Sequence, residues 1–306
     1  MLLLSWLWIQ VVVGGECGGK GPWSFDVNVD PSGVHEALRR DGAAILRVVE
    51  EPEEVSDWQE LAATLPQRVF GDGLVSKPMV AGVHLEQRAL ESRLSNNFTY
   101  VQASLLPHTD GFIYGDHQPD YVVLLVESQS EEGGESFVVD GEKVLSRLAK
   151  ADKLWRTDFD LTEHSPPGVV EGRRAVGPLV RRAGERLWWR RQVSVRAGEE
   201  SSKDPRVGAR PHAYQSLWTP LVPEDQALLD EVDAAIQDES REVPRFKVPA
   251  GRALLLDNYR LLHAREAYGG PTERRVWRVW IWTTQSLGIP DGVPQVASTT
   301  EAGNLL

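Results

Sequence analysis

His108-Thr109-Asp110 places an imidazole and a carboxylate two residues apart. On an extended chain, side chains at that spacing project from the same face. The pair can therefore reach one metal ion from a single strand end. A third ligand must come from elsewhere, and His263, far downstream in an apolar stretch, is the candidate. Two histidines and one carboxylate on one face of an octahedron leave three positions open. That arrangement suits non-haem Fe(II) and oxygen activation. The same three groups with a water in the fourth position would also make a hydrolytic zinc site. His-x-Asp is a common triplet, and a histidine on an apolar strand also serves as a plain core residue, so the surroundings must decide.

Those surroundings hold two arginines. Asp257-Asn258-Tyr259-Arg260-Leu261-Leu262-His263 leads on to Arg274-Arg275-Val276-Trp277-Arg278. Arg274 and Arg278 are an even number of residues apart, so on a strand both can face inward. A guanidinium stays charged when buried, and its planar fork binds a carboxylate at two points. Beside an iron site, it could fix the far carboxylate of 2-oxoglutarate while the other end of that cosubstrate chelates the metal. The competing reading makes them surface arginines alternating with Val276 and Trp280 in the core. Gln102 and Ser104 share the strand parity of His108, which offers them to a substrate or to hydrogen bonds within the fold.

The elements that must position these groups are mostly short strands. Trp23 to Val29 alternates as a strand does. Asp30-Pro31-Ser32 then opens a helix reaching Arg39 and Arg40, with Pro31 at a favoured first-turn position. Ala43 to Val49 reads as a buried strand. Pro52 to Leu65 reads as an amphipathic helix carrying Val55, Trp58, Leu61, Ala62 and Leu65 on one face. Further strands are expected at Thr99 to Leu105, Tyr121 to Glu127, Ser136 to Val139 and Leu187 to Val195. Helices are expected at Asp140 to Ala149 and Pro223 to Gln237. Three strands should close the chain: Arg245 to Val248, Ala253 to Ala264 with an internal bend, and Arg275 to Thr284. Many short strands with few helices suggest a sandwich or barrel.

Length and composition narrow the class. The 306 residues suffice for one large core. A formal charge of −12 argues against binding a phosphate backbone. Cys17 is the one cysteine, so neither an internal disulfide nor a cysteine zinc knuckle can form, and a reducing, cytoplasmic setting fits. Leu2 to Val13 is apolar but too short for a spanning helix, and it lacks the basic flank and cleavage site of a secretory signal. Residues 1–21 thus read as an N-terminal extension or a mis-called start. No stable membrane association is expected.

In combination, His108, Asp110, Asp257, Asn258, Arg260, His263, Arg274 and Arg278 resemble the taurine dioxygenase superfamily of Fe(II)/2-oxoglutarate-dependent oxygenases. That superfamily pairs His-x-Asp/Glu with a later Asp-Asn-x-Arg-x-x-His and Arg-x-x-x-Arg. Gln118-Pro119-Asp120-Tyr121-Val122 resembles its clavaminate synthase-like branch. The likeness runs from Phe98 to Thr284. It implies a mostly β fold with flanking helices around a double-stranded β-helix (jelly-roll) core. One oxygenase domain would span residues 22–306, with a lid or insertion at about 150–245. It implies His108, Asp110 and His263 as Fe(II) ligands and O2 as co-reactant. Arg274 would be the main 2-oxoglutarate anchor, unless Arg278 takes that role in its place; Arg278 could otherwise bind an anionic substrate group. Ser136, after the Gly133-Gly134-Glu135 turn, would stand beside the distal carboxylate. The implied reaction is hydroxylation of a small molecule, or desaturation or ring closure, in natural-product biosynthesis. Asp110 disfavours halogenation, because related halogenases lack that carboxylate. The rivals are a zinc hydrolase on the same three groups and a cupin-like binding protein without turnover.

Overall fold

The computed structural model describes residues 24–26, 31–48, 55–82, 104–160, 176–183, 185–191, 193–194, 215–216, 218–269 and 274–294. In chain order the first strands are β1 (Ser24–Asp26), β2 (Ala43–Arg47), β3 (Met79–Gly82), β4 (Leu105–His108), β5 (Tyr121–Ser128) and β6 (Ser136–Asp140). They are followed by the hairpin β7 (Val180–Ala183) and β8 (Arg186–Trp189), then β9 (Arg252–Asp257), β10 (Leu261–Arg265) and β11 (Arg275–Ile281). The main helices are α1 (Pro31–Asp41), α2 (Val55–Phe70), α3 (Gly141–Arg147) and α4 (Gln226–Glu242). The architecture is mixed helix and sheet, and the sheets are chiefly antiparallel.

Six strands form the larger sheet in the order β1-β2-β9-β5-β11-β3. Its pairs are antiparallel apart from β1 with β2. Side-chain alternation divides its two faces. Leu125, Ala253, Leu255, Trp277, Val279 and Ile281 point one way and pack on Val34, Leu38, Trp58, Ala62 and Leu65 of α1 and α2. Leu254, Leu256, Val126 and Val276 point the other way and meet Leu261 and Val138 of the smaller sheet, which runs β4-β10-β6. Beyond the smaller sheet, Phe137, Val139, Leu262 and Ala264 pack against Val144 of α3, Leu228, Val232 and Ile236 of α4, and Trp189 of β8. The described core is thus layered as helices, sheet, sheet, helices.

Sequence expectation and structure differ at several places: the helix expected to end at Gln237 continues to Glu242, and the strand near Leu105 is Leu105–His108. α2 runs five residues past Leu65, through Pro66. Proline costs a helix one backbone hydrogen bond, but Leu65 and Val69 stay on the buried face and hold the last turn in place. Arg245 to Val248 is not a strand: Phe246 makes one bridge to Ser136 and no more. Leu187 to Val195 divides into β8 and a separate Val193–Ser194 pairing with Gln215–Ser216. Residues 1–21, Gln102 and most of the Thr99 to Leu105 stretch lie outside the described residues. Among the described residues no helix is long and apolar enough to cross a membrane.

Candidate metal centre

β9 and β10 are consecutive, yet they belong to different sheets. The turn at 258–260 carries the chain from one layer to the other, and Asp257 and Asn258 build it. Asp257 Oδ1 accepts the amides of Tyr259 (3.0 Å) and Arg260 (3.2 Å) and a donor from Arg186 (2.9 Å). Asn258 is fully buried and reaches back to the first motif. Its Oδ1 accepts the Asp110 amide at 2.8 Å, and its Nδ2 donates to the carbonyls of Asp110 (3.0 Å) and Pro119 (2.8 Å). One side-chain amide therefore ties the Asp110 backbone to the end of β9. Gly42, at φ +74°, closes α1 against the same turn: its carbonyl accepts the Asp257 amide at 2.7 Å.

Beyond this turn, His263 lies opposite His108 across the β10–β4 pair. The imidazole centroids are 4.2 Å apart. His108 Nδ1 lies 2.7 Å from the Leu106 carbonyl. A carbonyl only accepts, so that nitrogen carries the proton and Nε2 presents a lone pair in the neutral ring. Asp110 follows the end of β4, and Gly111 turns the chain away at φ +77°. A Cβ at Gly111 would stand 2.2 Å from Pro119 Cδ, so glycine is required there.

Asp110 Oδ1 is 3.6 Å from His108 Nε2 and 3.9 Å from His263 Nε2. One ligand atom from each of the three residues lies within 4.8 Å of the others. The three residues are almost closed to solvent, at 6, 5 and 7 % exposure in chain order. Buried electron-pair donors aimed at one another repel unless a cation stands between them. The donor set, two nitrogens and one oxygen, fits non-haem iron. Burial opposes ionisation of Asp110. The charge of Arg278 and the two imidazoles outweigh it and hold the carboxyl well below the usual carboxylate range. Burial, with His108 alongside, draws His263 down to about 3, so its ring is neutral and free to bind a metal at neutral pH.

The cavity beside these groups is lined by Ser136, Ala264, Arg265, Arg274, Val276 and Arg278, among others. Both arginines singled out in the sequence therefore face inward, and the inward set includes Val276. Arg274 is drawn down to about 10 by burial. Its Nε donates to Gln129 Oε1 at 3.1 Å. Arg278 lies closer to the ligands, with Nε 3.8 Å from Asp110 Oδ2. Arg265 is a third inward guanidinium that the sequence reading did not single out; burial and the charge of Arg274 pull it to about 9. Its parity with His263 on β10 was the available signal. Trp280 was also passed over, and its indole Nε1 donates to Asp110 Oδ2 at 2.8 Å. Ser136 stands opposite Arg265 in the β6–β10 register. Ser104 stands outside the cavity lining, and its hydroxyl accepts the Ala267 amide at 3.1 Å.

Among solved structures, an asparagine oxygenase (AsnO) matches with a TM-score of 0.56 at 14 % identity, covering 86 % of this chain and 84 % of that one. The same kind of enzyme in complex with Fe(II), (2S,3S)-3-hydroxyasparagine and succinate matches with a TM-score of 0.54 at 16 % identity, covering 81 % and 77 %. A non-haem iron oxygenase, OrfP, in complex with Fe, succinate and (3S)-hydroxy-L-Arg matches with a TM-score of 0.53 at 16 % identity, covering 82 % and 81 %. These likenesses establish a shared fold. The family model described as taurine catabolism dioxygenase TauD, TfdA family matches residues 16–280. The chain belongs to that family and is a 2-oxoglutarate-dependent non-haem iron oxygenase.

Proposed function

We propose that His108 Nε2, Asp110 Oδ1 and His263 Nε2 hold Fe(II), and that the enzyme oxidises a C–H bond of an amino-acid-like small molecule. In this reading Arg274, with Ser136 lining the same cavity, holds the distal carboxylate of 2-oxoglutarate, as its buried, inward-facing guanidinium invites. Arg278 stands nearer the ligands and suits an anionic group of the substrate. When bound, iron and cosubstrate together supply O2 activation, with 2-oxoglutarate converted to succinate and CO2.

The residues of the chain orient and shield. The apolar walls from Val276 and Leu124 keep water from the ligands, which strengthens every charge interaction inside. Asn258 holds Asp110 in place from the far end of β9. The facing sheets read as the two sides of a jelly roll, and about 150–245, which contains β7, β8 and α4, reads as the insertion over it. One domain over residues 22–306 accommodates all of this. The clavaminate synthase-like resemblance and the hydroxyamino acids named in the OrfP and AsnO complexes support an amino-acid-like substrate and a tailoring role in natural-product biosynthesis. A cytoplasmic setting accords with the single cysteine.

One observation carries the reading: three converging ligand atoms share a buried cavity with the guanidiniums of Arg274 and Arg278. A zinc hydrolase would have no use for those arginines. Anaerobic titration of Fe(II)-loaded protein with 2-oxoglutarate should develop the visible charge-transfer absorption of the chelate. Asp110→Ala should lose coupled substrate oxidation altogether. A silent titration, or full coupled turnover by that variant, would refute the assignment.

A further inference from the structure

The two oxygens of Asp110 have different surroundings. Oδ1 looks toward both imidazole Nε2 atoms. Oδ2 faces the other way, receives the Trp280 indole N–H at 2.8 Å and has Arg278 Nε at 3.8 Å. Trp280 is itself held. Tyr114 meets its ring edge-on at 5.7 Å, and the Arg278 guanidinium lies 4.7 Å from its centroid. Tyr114 belongs to the 3-10 segment Phe112–His117 that directly follows the metal motif, and its hydroxyl reaches Met79 Sδ on β3 at 3.5 Å. The indole is thus braced from two sides. An indole can only donate, so this contact fixes which carboxylate oxygen is left for a metal.

We infer that Trp280 is a positioning residue that restrains Asp110 to one-oxygen ligation and so keeps a coordination position open for 2-oxoglutarate. The inference rests on the iron-site reading above. A carboxylate without that restraint can turn both oxygens to a metal, taking a position the cosubstrate needs. Hydrogen-bond partners of metal ligands are worth about 10–100-fold when removed. Here the loss should fall on cosubstrate affinity more than on metal affinity, because a second oxygen on the metal compensates the latter.

Co(II) serves as the spectroscopic stand-in for iron in the full chain. In Co(II)-loaded Trp280→Phe, the Kd for 2-oxoglutarate should rise about 10–100-fold, while the Kd for Co(II) changes by less than about threefold. Unchanged affinity for both, or a Co(II) loss equal to the cosubstrate loss, overturns the inference. A measurement on the unmutated protein guards against a variant that fails to fold. With 15N-labelled tryptophan, one of the eleven indole N–H signals should move far outside the diamagnetic range when Co(II) binds. Co(II) binding with no such signal overturns the role of Trp280 alone, whereas a wild-type chain that binds no Co(II) refutes the iron-site reading beneath it.

Discussion

The two faces of the larger sheet are built on opposite terms. Toward α1 and α2, Trp277, Val279 and Ile281 of β11 alternate into a face closed by apolar contacts. One residue out of step, Val276 and Arg278 of the same strand face the cavity, with Arg274 just before it. The first face gains from burial, at about 1.5–3 kcal/mol for each large apolar side chain. The second encloses two guanidiniums, Arg278 with Asp110 Oδ2 at 3.8 Å and Arg274 with Gln129 Oε1 at 3.1 Å, and burying such charge costs stability. A single strand therefore packs the core on one side and contributes to the charged cavity wall on the other.

That contrast can be broken first on the apolar side. Trp277→Ala should destabilise the protein by about 3–5 kcal/mol, the range for emptying a large aromatic site in a core. Trp277 also donates from Nε1 to Glu127 at 2.9 Å, so Glu127 loses a partner as well. Thermal unfolding should show the drop, while cosubstrate affinity measured on the folded fraction stays near wild type. An equal loss of binding would mean that the two faces are not separable.

Arg274→Met tests the cavity side in reverse. Losing one partner of a buried charge pair costs about 2–5 kcal/mol of binding, so the Kd for 2-oxoglutarate should rise by at least about thirtyfold. Without cosubstrate the variant should be no less stable than wild type, since the desolvated cation is gone. A less stable ligand-free variant would show Arg274 to be a structural group of the native chain.

The smallest effect concerns the seam between the faces. Asp120 is buried at the start of β5's approach, where its carboxylate accepts the Thr283 amide (3.0 Å) and hydroxyl (2.5 Å). Burial raises its pKa to about 6, above the unfolded value of 3.8. A raised carboxyl favours folding most when protonated in both states, below 3.8, and that contribution fades as pH rises through 6. Wild type should therefore gain stability relative to Asp120→Asn as pH falls from 6 to 4. Denaturant midpoints at several pH values would show it; a difference independent of pH would contradict the burial argument.

Much of the site was readable from local pattern. Parity placed His108 with Asp110, and Arg274 with Arg278, because a strand alternates its side chains. The helix beginning at Pro31 was legible from that proline, and the bend expected within Ala253 to Ala264 is the turn at 258–260. Arg265 and Trp280 were not read, although each shares a parity with a chosen residue. Arginine and tryptophan occur so often as ordinary surface and core groups that parity alone does not single them out.

Sequence by itself determined residue types, strand parity and the family motifs, all of which depend on neighbours a few positions apart. Tertiary structure decided which strand lies in which sheet. It set Asn258 against Asp110 and an indole against one carboxylate oxygen, and it buried the cations. Those outcomes depend on contacts between residues more than a hundred positions apart, whose pairing no local spacing encodes.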